Sequence, residues 1–145
     1  MSYLLDTCVL SEYIKKQPAP QVISWLDAQD EDGLFISTIS IGEIFKGITK
    51  LQTTDPPRAI KLNTWLETLE ARFEYRTLVL DNTIMRVWGE LYGTAEQQGR
   101  SLPLMDSLIM ASAAHYDLSI VTRNSSDFSG YSKTFNPWEV SLSRG

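Results

Sequence analysis

Residues 3–14 read YLLDTCVLSEYI, a short apolar run that ends in an acid and passes directly into a helical pattern. The apolar run Tyr3–Leu5 predicts a strand, and the pattern that begins at Thr7 predicts a helix. A strand that leads at once into a helix is typical of α/β folds. It leaves Asp6 at the junction between the two elements.

Beyond this segment, the chain continues to alternate between apolar runs and helical patterns, without an internal repeat, a low-complexity segment or a linker. Strands and helices that alternate at this interval indicate an α/β fold with a mostly parallel central sheet, and 145 residues suit a single domain over residues 1–145. Further strands are predicted at Leu34–Ser37, Thr77–Leu80 and Leu118–Val121. Helices are predicted from Pro20, around Ile41 to Ile48, over Pro57 to Phe73, from Ile84 to near Gly99, and from Pro103.

The composition excludes several classes of protein. A net charge of −5 argues against a protein that coats duplex DNA, because it repels a polyanion. The single histidine, His115, excludes a ribonuclease mechanism that needs two imidazoles, and also a zinc site of the HExxH type. No apolar stretch approaches the roughly 18 residues of a membrane span, the N-terminus lacks a signal-peptide pattern, and Cys8 alone cannot form an internal disulfide. We therefore expect a cytoplasmic protein with no membrane contact.

Four acids lie where predicted strands end or predicted helices begin. Asp6 follows the first strand, Glu43 lies in the first turn after the second, and Asp81 follows the third. Asp106 lies in the first turn of the helix that Pro103 opens. Because the carboxyl ends of parallel strands and the N-termini of the following helices meet at one edge of a sheet, we expect all four acids at that edge.

Each of these acids also has a structural interpretation, because acids are enriched at helix starts. Asp6 and Asp81 are suited to cap the helices that follow them, and Ser40 with Glu43 fits a capping box. Asp106 is suited to complement its helix dipole. However, Asp106 shares a helix face with the apolar residues three, four and seven positions later, where a solvent-facing cap does not belong.

Several carboxylates at one place predict a bound cation. Three of them within about 4 Å of one another repel by roughly 4 kcal/mol per pair at an effective dielectric near 20, so they must take up protons or hold a metal. Oxygen ligands without histidine or thiolate suit Mg²⁺, with Mn²⁺ as a possible substitute. Such a metal activates water and stabilises the leaving oxygen in phosphodiester hydrolysis.

Four short motifs follow one another along nearly the whole chain: LLDTCVLSEYI (4–14), STISIGEIFKGI (37–48), MDSLIMASAAHYDLSIVTRNSSDF (105–128) and FNPWE (135–139). Together they resemble the PIN-domain toxins of the VapC type. The resemblance implies a three-layer α/β/α fold with a parallel sheet, and a Mg²⁺-dependent endoribonuclease that cuts RNA. It also implies a homodimer and a cognate antitoxin, through which alone the toxin reaches operator DNA.

The resemblance further implies which residues form the site. Asp6, Glu43 and Asp106 match the catalytic acids and metal ligands of the family, whereas Asp81 lies outside that set and keeps its capping role. The fourth catalytic position falls on Asn124, where some members carry an acid. Asp127 is nearby, so the roles of the two residues at this position stay open.

Three neighbouring residues have alternative interpretations. Thr7 and Thr122 flank predicted strand ends, where a capping role and a hydrogen bond to a site carboxylate fit equally well. Cys8 stands where asparagine is common in the family, and we interpret it as a packing residue.

Other functions of an acid-rich α/β protein fit less well. A flavodoxin-like phosphoacceptor domain needs adjacent acids after the first strand, and a haloacid-type phosphatase needs a second aspartate where Cys8 stands. One alternative stays open: a catalytically weak protein of the PIN fold that acts mainly with its antitoxin as a corepressor. Metal-dependent cleavage of RNA distinguishes it from the nuclease.

Overall fold

The computed structural model describes residues 1–141, and its core is a five-stranded sheet in which every neighbouring pair of strands is parallel. The strands are β1 (Tyr3–Leu5), β2 (Leu34–Ser37), β3 (Thr77–Leu78), β4 (Ser119–Val121) and β5 (Thr134–Phe135). They lie in the order β3-β2-β1-β4-β5 across the sheet. This arrangement confirms the predicted α/β class.

Helices cover both faces of the sheet. They are α1 (Thr7–Leu10), α2 (Pro20–Asp27), α3 (Thr38–Thr54), α4 (Pro56–Arg72), α5 (Asn82–Gln97) and α6 (Leu104–Tyr116). Leu4 and Leu5 are adjacent in β1 and fully buried, yet they belong to different cores, because successive strand side chains point to opposite faces. Leu5 packs with residues of α1 to α4, and Leu4 packs with residues of α5 and α6. The three-layer α/β/α fold is therefore confirmed.

Two strands differ from the sequence-based expectation. The predicted strand at 77–80 ends at Leu78, since Val79 is 63% exposed and has left the sheet. The strand patterns miss β5, which lies at the edge of the sheet and has two residues, too few for an apolar run. Within residues 1–141, no helix combines the length and the apolar character needed to cross a bilayer.

The order of the strands determines where a ligand site is expected. From β1 the chain moves outward through β2 to β3, and it then returns to place β4 and β5 on the other side of β1. The order therefore reverses between β1 and β4. In parallel sheets, ligands bind beyond the carboxyl ends of the strands at such a switch point.

Arg76 links the start of β2 and the segment before it to the end of α4 through hydrogen bonds. Its guanidinium donates to the backbone carbonyls of Glu31 at 2.6 Å, Leu34 at 2.7 Å and Arg72 at 2.9 Å, and it lies 4.4 Å from the centre of the Phe73 ring. We expect Arg76→Ala to lower the free energy of unfolding by about 2–4 kcal/mol, because these carbonyls lose a charged donor. Urea denaturation measures the change. A variant with the unfolding midpoint of the wild type would contradict this role.

Candidate active site

Asp6 is held rigidly at the carboxyl end of β1. Its backbone N–H donates to the carbonyl of Val121 in β4 at 2.9 Å, which places Asp6 at the switch point. One carboxylate oxygen accepts the N–H of Thr7 at 2.8 Å, and the other accepts the hydroxyl proton of Thr122 at 2.8 Å. Asp6 therefore caps α1, as predicted, and Thr122 bonds a site carboxylate rather than a helix end.

Thr7 connects Asp6 to a second acid. Besides its N–H bond to Asp6, its side-chain hydroxyl lies 2.8 Å from Oε1 of Glu43 on α3. A carboxylate accepts and does not donate, so the Thr7 hydroxyl gives its proton to Glu43. One residue thus contacts two of the acids that the sequence predicts for the site.

The predicted capping box of Ser40 and Glu43 is wrong. The helix α3 begins at Thr38, and its N-cap is Ser37, whose hydroxyl accepts the N–H of Ile39 at 3.0 Å. Glu43 therefore lies in the second turn of α3 and not in the first. The reason is that β2 passes into α3 without a loop, so the helix begins earlier than the S-x-x-E pattern indicates.

Asp106 is half-buried in the first turn of α6, on the face that continues to the fully buried Ile109. Burial of its carboxyl group, reinforced by the negative charges of Asp6, Asp127 and Glu43, raises its pKa to about 6. The charges that act on Asp106 therefore come from the end of β1, from α3 and from the segment after β4. Three of the four acids that the sequence predicted at one edge of the sheet are in this group, and Asp127 joins them, whereas Asp81 does not.

The segment after β4 contains both candidates for the fourth position. The backbone N–H of Asn124 donates to the hydroxyl oxygen of Thr122 at 3.0 Å, and the carbonyl of Asn124 accepts the N–H of Asp127 at 3.0 Å. Asn124 is exposed, whereas Asp127 is half-buried and its charge acts on Asp106. Both residues are thus attached to the site through Thr122.

Asp81 has the capping role assigned to it. It is the N-cap of α5, and its carboxylate accepts the N–H of Ile84 at 2.9 Å. It is exposed, and it is not among the charges that raise the pKa of Asp106. Asp81 therefore provides an acid at a strand end that is separate from the site.

Cys8 in α1 packs against the hydrophobic core, as expected, and it also contacts Asp6 and Thr122. Its thiol lies 3.6 Å from Oδ2 of Asp6 and 3.9 Å from the Thr122 hydroxyl oxygen. Burial and the nearby charge of Asp6 raise the pKa of the thiol to about 11. Cys8 is therefore a neutral, weak donor to Asp6 near pH 7 and not a thiolate ligand.

The chemistry of these side chains fits a hard divalent cation. The charged groups that act on Asp106 are all carboxylates, and His115 lies in the last turn of α6, at the opposite end from Asp106. Across residues 1–141, no three acidic, thiol or imidazole side chains are already close enough to chelate one ion. Mg²⁺ is commonly held by one or two carboxylates with water in the other positions, so the site suits this ion without a closed cage.

Comparison with known proteins agrees with the fold. The family model of the PIN domain matches residues 3–133. Toxin FitB of Neisseria gonorrhoeae is 30% identical over 140 residues, which are 93% of this chain and 97% of FitB. VapC ribonuclease Y4jK of Sinorhizobium fredii is 29% identical over 137 residues, or 94% of this chain and 97% of Y4jK. The solved structure of FitAB bound to an IR36 DNA fragment superposes with a TM-score of 0.86 at 26% identity, over 97% of this chain and 98% of the other.

Proposed function

This chain belongs to the PIN domain family, and from that premise we propose that it is the toxin of a toxin-antitoxin pair and acts as a Mg²⁺-dependent endoribonuclease. The observation that carries the proposal is the set of carboxylates around Asp106 at the switch point of the sheet. The similarity to VapC ribonuclease Y4jK supports RNA as the substrate. We assign Asp6, Glu43 and Asp106 as catalytic residues and metal ligands. The fourth catalytic position belongs to Asn124 or to Asp127, and substitution of each residue distinguishes them.

Each acid contributes differently to such a site. A bound Mg²⁺ supplies activation of water and neutralisation of charge on the leaving oxygen, and Mn²⁺ is a suitable substitute. Asp6 presents a fixed carboxylate, because Thr7 and Thr122 hold both of its oxygens. Asp106, with its raised pKa, must lose its proton before it serves as a ligand, so metal affinity is expected to increase with pH up to neutrality.

We further propose that the partner is a cognate antitoxin, and that operator DNA is reached through it. The similarity to FitAB, which is a complex bound to DNA, supports this assembly. The net charge of −5 disfavours direct binding of this chain to a duplex, because such binding depends on neutralising phosphates. A cytoplasmic homodimer is the form that we expect for the toxin.

One feature favours the alternative of a catalytically weak corepressor. Asn124 supplies no charge where some members of the family carry an acid, and this loss lowers the attraction for a metal. Under this alternative, the chain and its antitoxin still bind the operator together. Only the nuclease proposal requires that RNA be cut.

Induced expression in a bacterial host tests the proposal. We expect the wild-type chain to arrest growth and to produce new RNA fragments with 5′-phosphate ends, which sequencing of total RNA maps to defined sites. The antitoxin should restore growth, and Asp6→Asn should be harmless at equal protein level. Normal growth with no new RNA ends, together with operator binding by the pair, would contradict the nuclease and support the corepressor.

The fourth position is tested by two substitutions in purified protein. We expect Asn124→Ala to lower the cleavage rate by less than about 10-fold, and Asp127→Asn to lower it by about 10-fold or more, because the charge of Asp127 acts on Asp106. Initial rates on a labelled RNA measure both effects. Full activity of Asp127→Asn would assign the fourth position to Asn124 alone.

A further inference from the structure

Ser40 is a fully buried serine within α3, three residues before Glu43, and it is not one of the proposed catalytic residues. Its hydroxyl oxygen lies 2.8 Å from the hydroxyl oxygen of Thr7. A buried hydroxyl needs a hydrogen-bond partner, since burying one without a partner is costly. Here the partner belongs to the helix that follows β1, and not to α3 itself.

Other hydroxyls in the helices of this protein behave differently. Thr49 donates to the carbonyl of Phe45 at 3.0 Å, and Ser112 donates to the carbonyl of Leu108 at 3.1 Å. A hydrogen bond from the side-chain hydroxyl to the carbonyl four residues earlier is common for serine and threonine in helices. The residue four positions before Ser40 is Ile36, which lies in β2 and outside α3, and the Ser40 hydroxyl contacts Thr7 instead.

The direction of the protons follows from chemistry. The Thr7 hydroxyl has one proton and lies 2.8 Å from both Ser40 Oγ and Glu43 Oε1. Glu43 accepts that proton, so Ser40 donates its own proton to the oxygen of Thr7. Two successive hydrogen bonds therefore run from Ser40 through Thr7 to the Glu43 carboxylate, and each strengthens the other by polarisation.

Glu43 is the acid that benefits most from such support. Asp6 is short, and hydrogen bonds hold both of its oxygens, whereas Glu43 has a longer side chain on a helix and is half-buried. The bond to Oε1 restricts the rotation of the Glu43 carboxylate, and a metal can then bind the second oxygen, Oε2. The N–H of Thr7 also bonds Asp6, so Thr7 fixes the two acids relative to each other.

We propose that Ser40 and Thr7 are positioning residues, whose two hydroxyls form a relay that orients the Glu43 carboxylate to receive a divalent metal. The proposal rests on the proposed function, because it assigns Glu43 to the metal. It predicts that the buried hydroxyl of Ser40 acts on metal affinity through Thr7, without contact with RNA.

The test compares Ser40→Ala with Ser112→Ala in full-length protein. Ser112 is a matched control, since it is also a fully buried helical serine but donates within α6. Titration calorimetry with MgCl₂ or MnCl₂ alone measures metal binding directly, and RNA cleavage gives the Mg²⁺ concentration for half-maximal rate. We expect Ser40→Ala to raise the dissociation constant for the metal and the Mg²⁺ concentration for half-maximal rate, each about 10-fold, while KM for RNA is unchanged. Ser112→Ala should bind metal like the wild type.

Substitutions at Thr7 test whether the effect passes through that residue. We expect Thr7→Val to weaken metal binding at least as much as Ser40→Ala does. Thr7→Ser keeps the hydroxyl and should bind metal with the affinity of the wild type. The double variant Thr7→Val with Ser40→Ala should be no weaker than Thr7→Val alone, because removing the middle of a relay makes its first member irrelevant. Circular dichroism verifies that each variant is folded.

Distinct results separate the relay from the proposed function. A wild type that binds metal and cleaves RNA, with Ser40→Ala equal to Ser112→Ala, overturns the relay and leaves the nuclease intact. Additive losses in the double variant also overturn the relay. A wild type that binds no Mg²⁺ or Mn²⁺ overturns the proposed function and the relay with it.

Discussion

Replacing Asp6 by asparagine is expected to lower the rate of RNA cleavage about 1,000-fold or more while the protein stays folded. Asparagine preserves the oxygen that accepts the N–H of Thr7, and its amide group donates to the hydroxyl oxygen of Thr122 in place of the present bond. Asparagine is also a good helix cap. The substitution therefore removes a negative charge from the site and little else.

Initial rates on a labelled RNA at saturating Mg²⁺ measure this effect, and thermal unfolding verifies the fold. The matched control is Asp81→Asn, which makes the same change at an exposed cap outside the site. We expect this control to retain activity within about 2-fold, since surface substitutions of this kind have small effects. Equal activities of Asp6→Asn and Asp81→Asn would remove Asp6 from the catalytic site.

Asp106→Asn is expected to lower cleavage about 100-fold or more and yet to stabilise the metal-free protein at neutral pH. The folded-state pKa of Asp106, about 6, lies above the ordinary value for aspartate, about 3.9. The folded state therefore binds this proton more tightly than the unfolded state does. As the pH rises from about 4 to above 6, the wild type loses stability, whereas asparagine has no proton to lose.

Urea denaturation in the presence of a chelator, at pH 4 and at pH 7.5, measures this difference. We expect the two proteins to be nearly equally stable at pH 4, and the variant to be more stable by about 1–2 kcal/mol at pH 7.5, after allowance for solvent screening. Excess Mg²⁺ should reverse the order, because a ligand stabilises the protein that binds it. A wild type more stable than the variant at pH 7.5 without metal would contradict the raised pKa.

The fold is predictable from the sequence wherever strands are buried. Three strands appear as buried apolar runs, because helices cover both faces of the sheet: β1, β2 and β4. The strand β3 is also predicted, although two residues too long. The edge strand β5 has no such run, since Thr134 and Phe135 are only half-buried. Its pairing with β4 depends on the fold that is already formed, and a local pattern does not contain that information.

The acids of the site are predictable for a related reason, and their supporting hydroxyls are not. Parallel strands bring their carboxyl ends to one edge, so Asp6 and Asp106 could be placed there from their sequence positions. The partners of the hydroxyls are distant in sequence: Thr7 bonds Glu43 36 residues away, and Thr122 bonds Asp6 116 residues away. A local sequence pattern therefore does not distinguish a capping role from a site role for Thr7 and Thr122, whereas the contacts made in the folded protein do.

The capping-box pattern at Ser40 shows how a local signal misleads. The pattern S-x-x-E fits a helix start, and it gives both Ser40 and Glu43 a structural purpose. The actual helix begins at Thr38, directly after β2, and this shift by part of a turn directs Ser40 towards Thr7.

The most direct test of metal-dependent catalysis is RNA cleavage by the purified, antitoxin-free chain across a titration of Mg²⁺, with and without a chelator. We expect discrete fragments whose yield rises with Mg²⁺, disappears with chelator and returns when Mg²⁺ or Mn²⁺ is added in excess. Cleavage that continues unchanged in excess chelator, or intact RNA at every metal concentration, would contradict a metal-dependent nuclease built on these carboxylates.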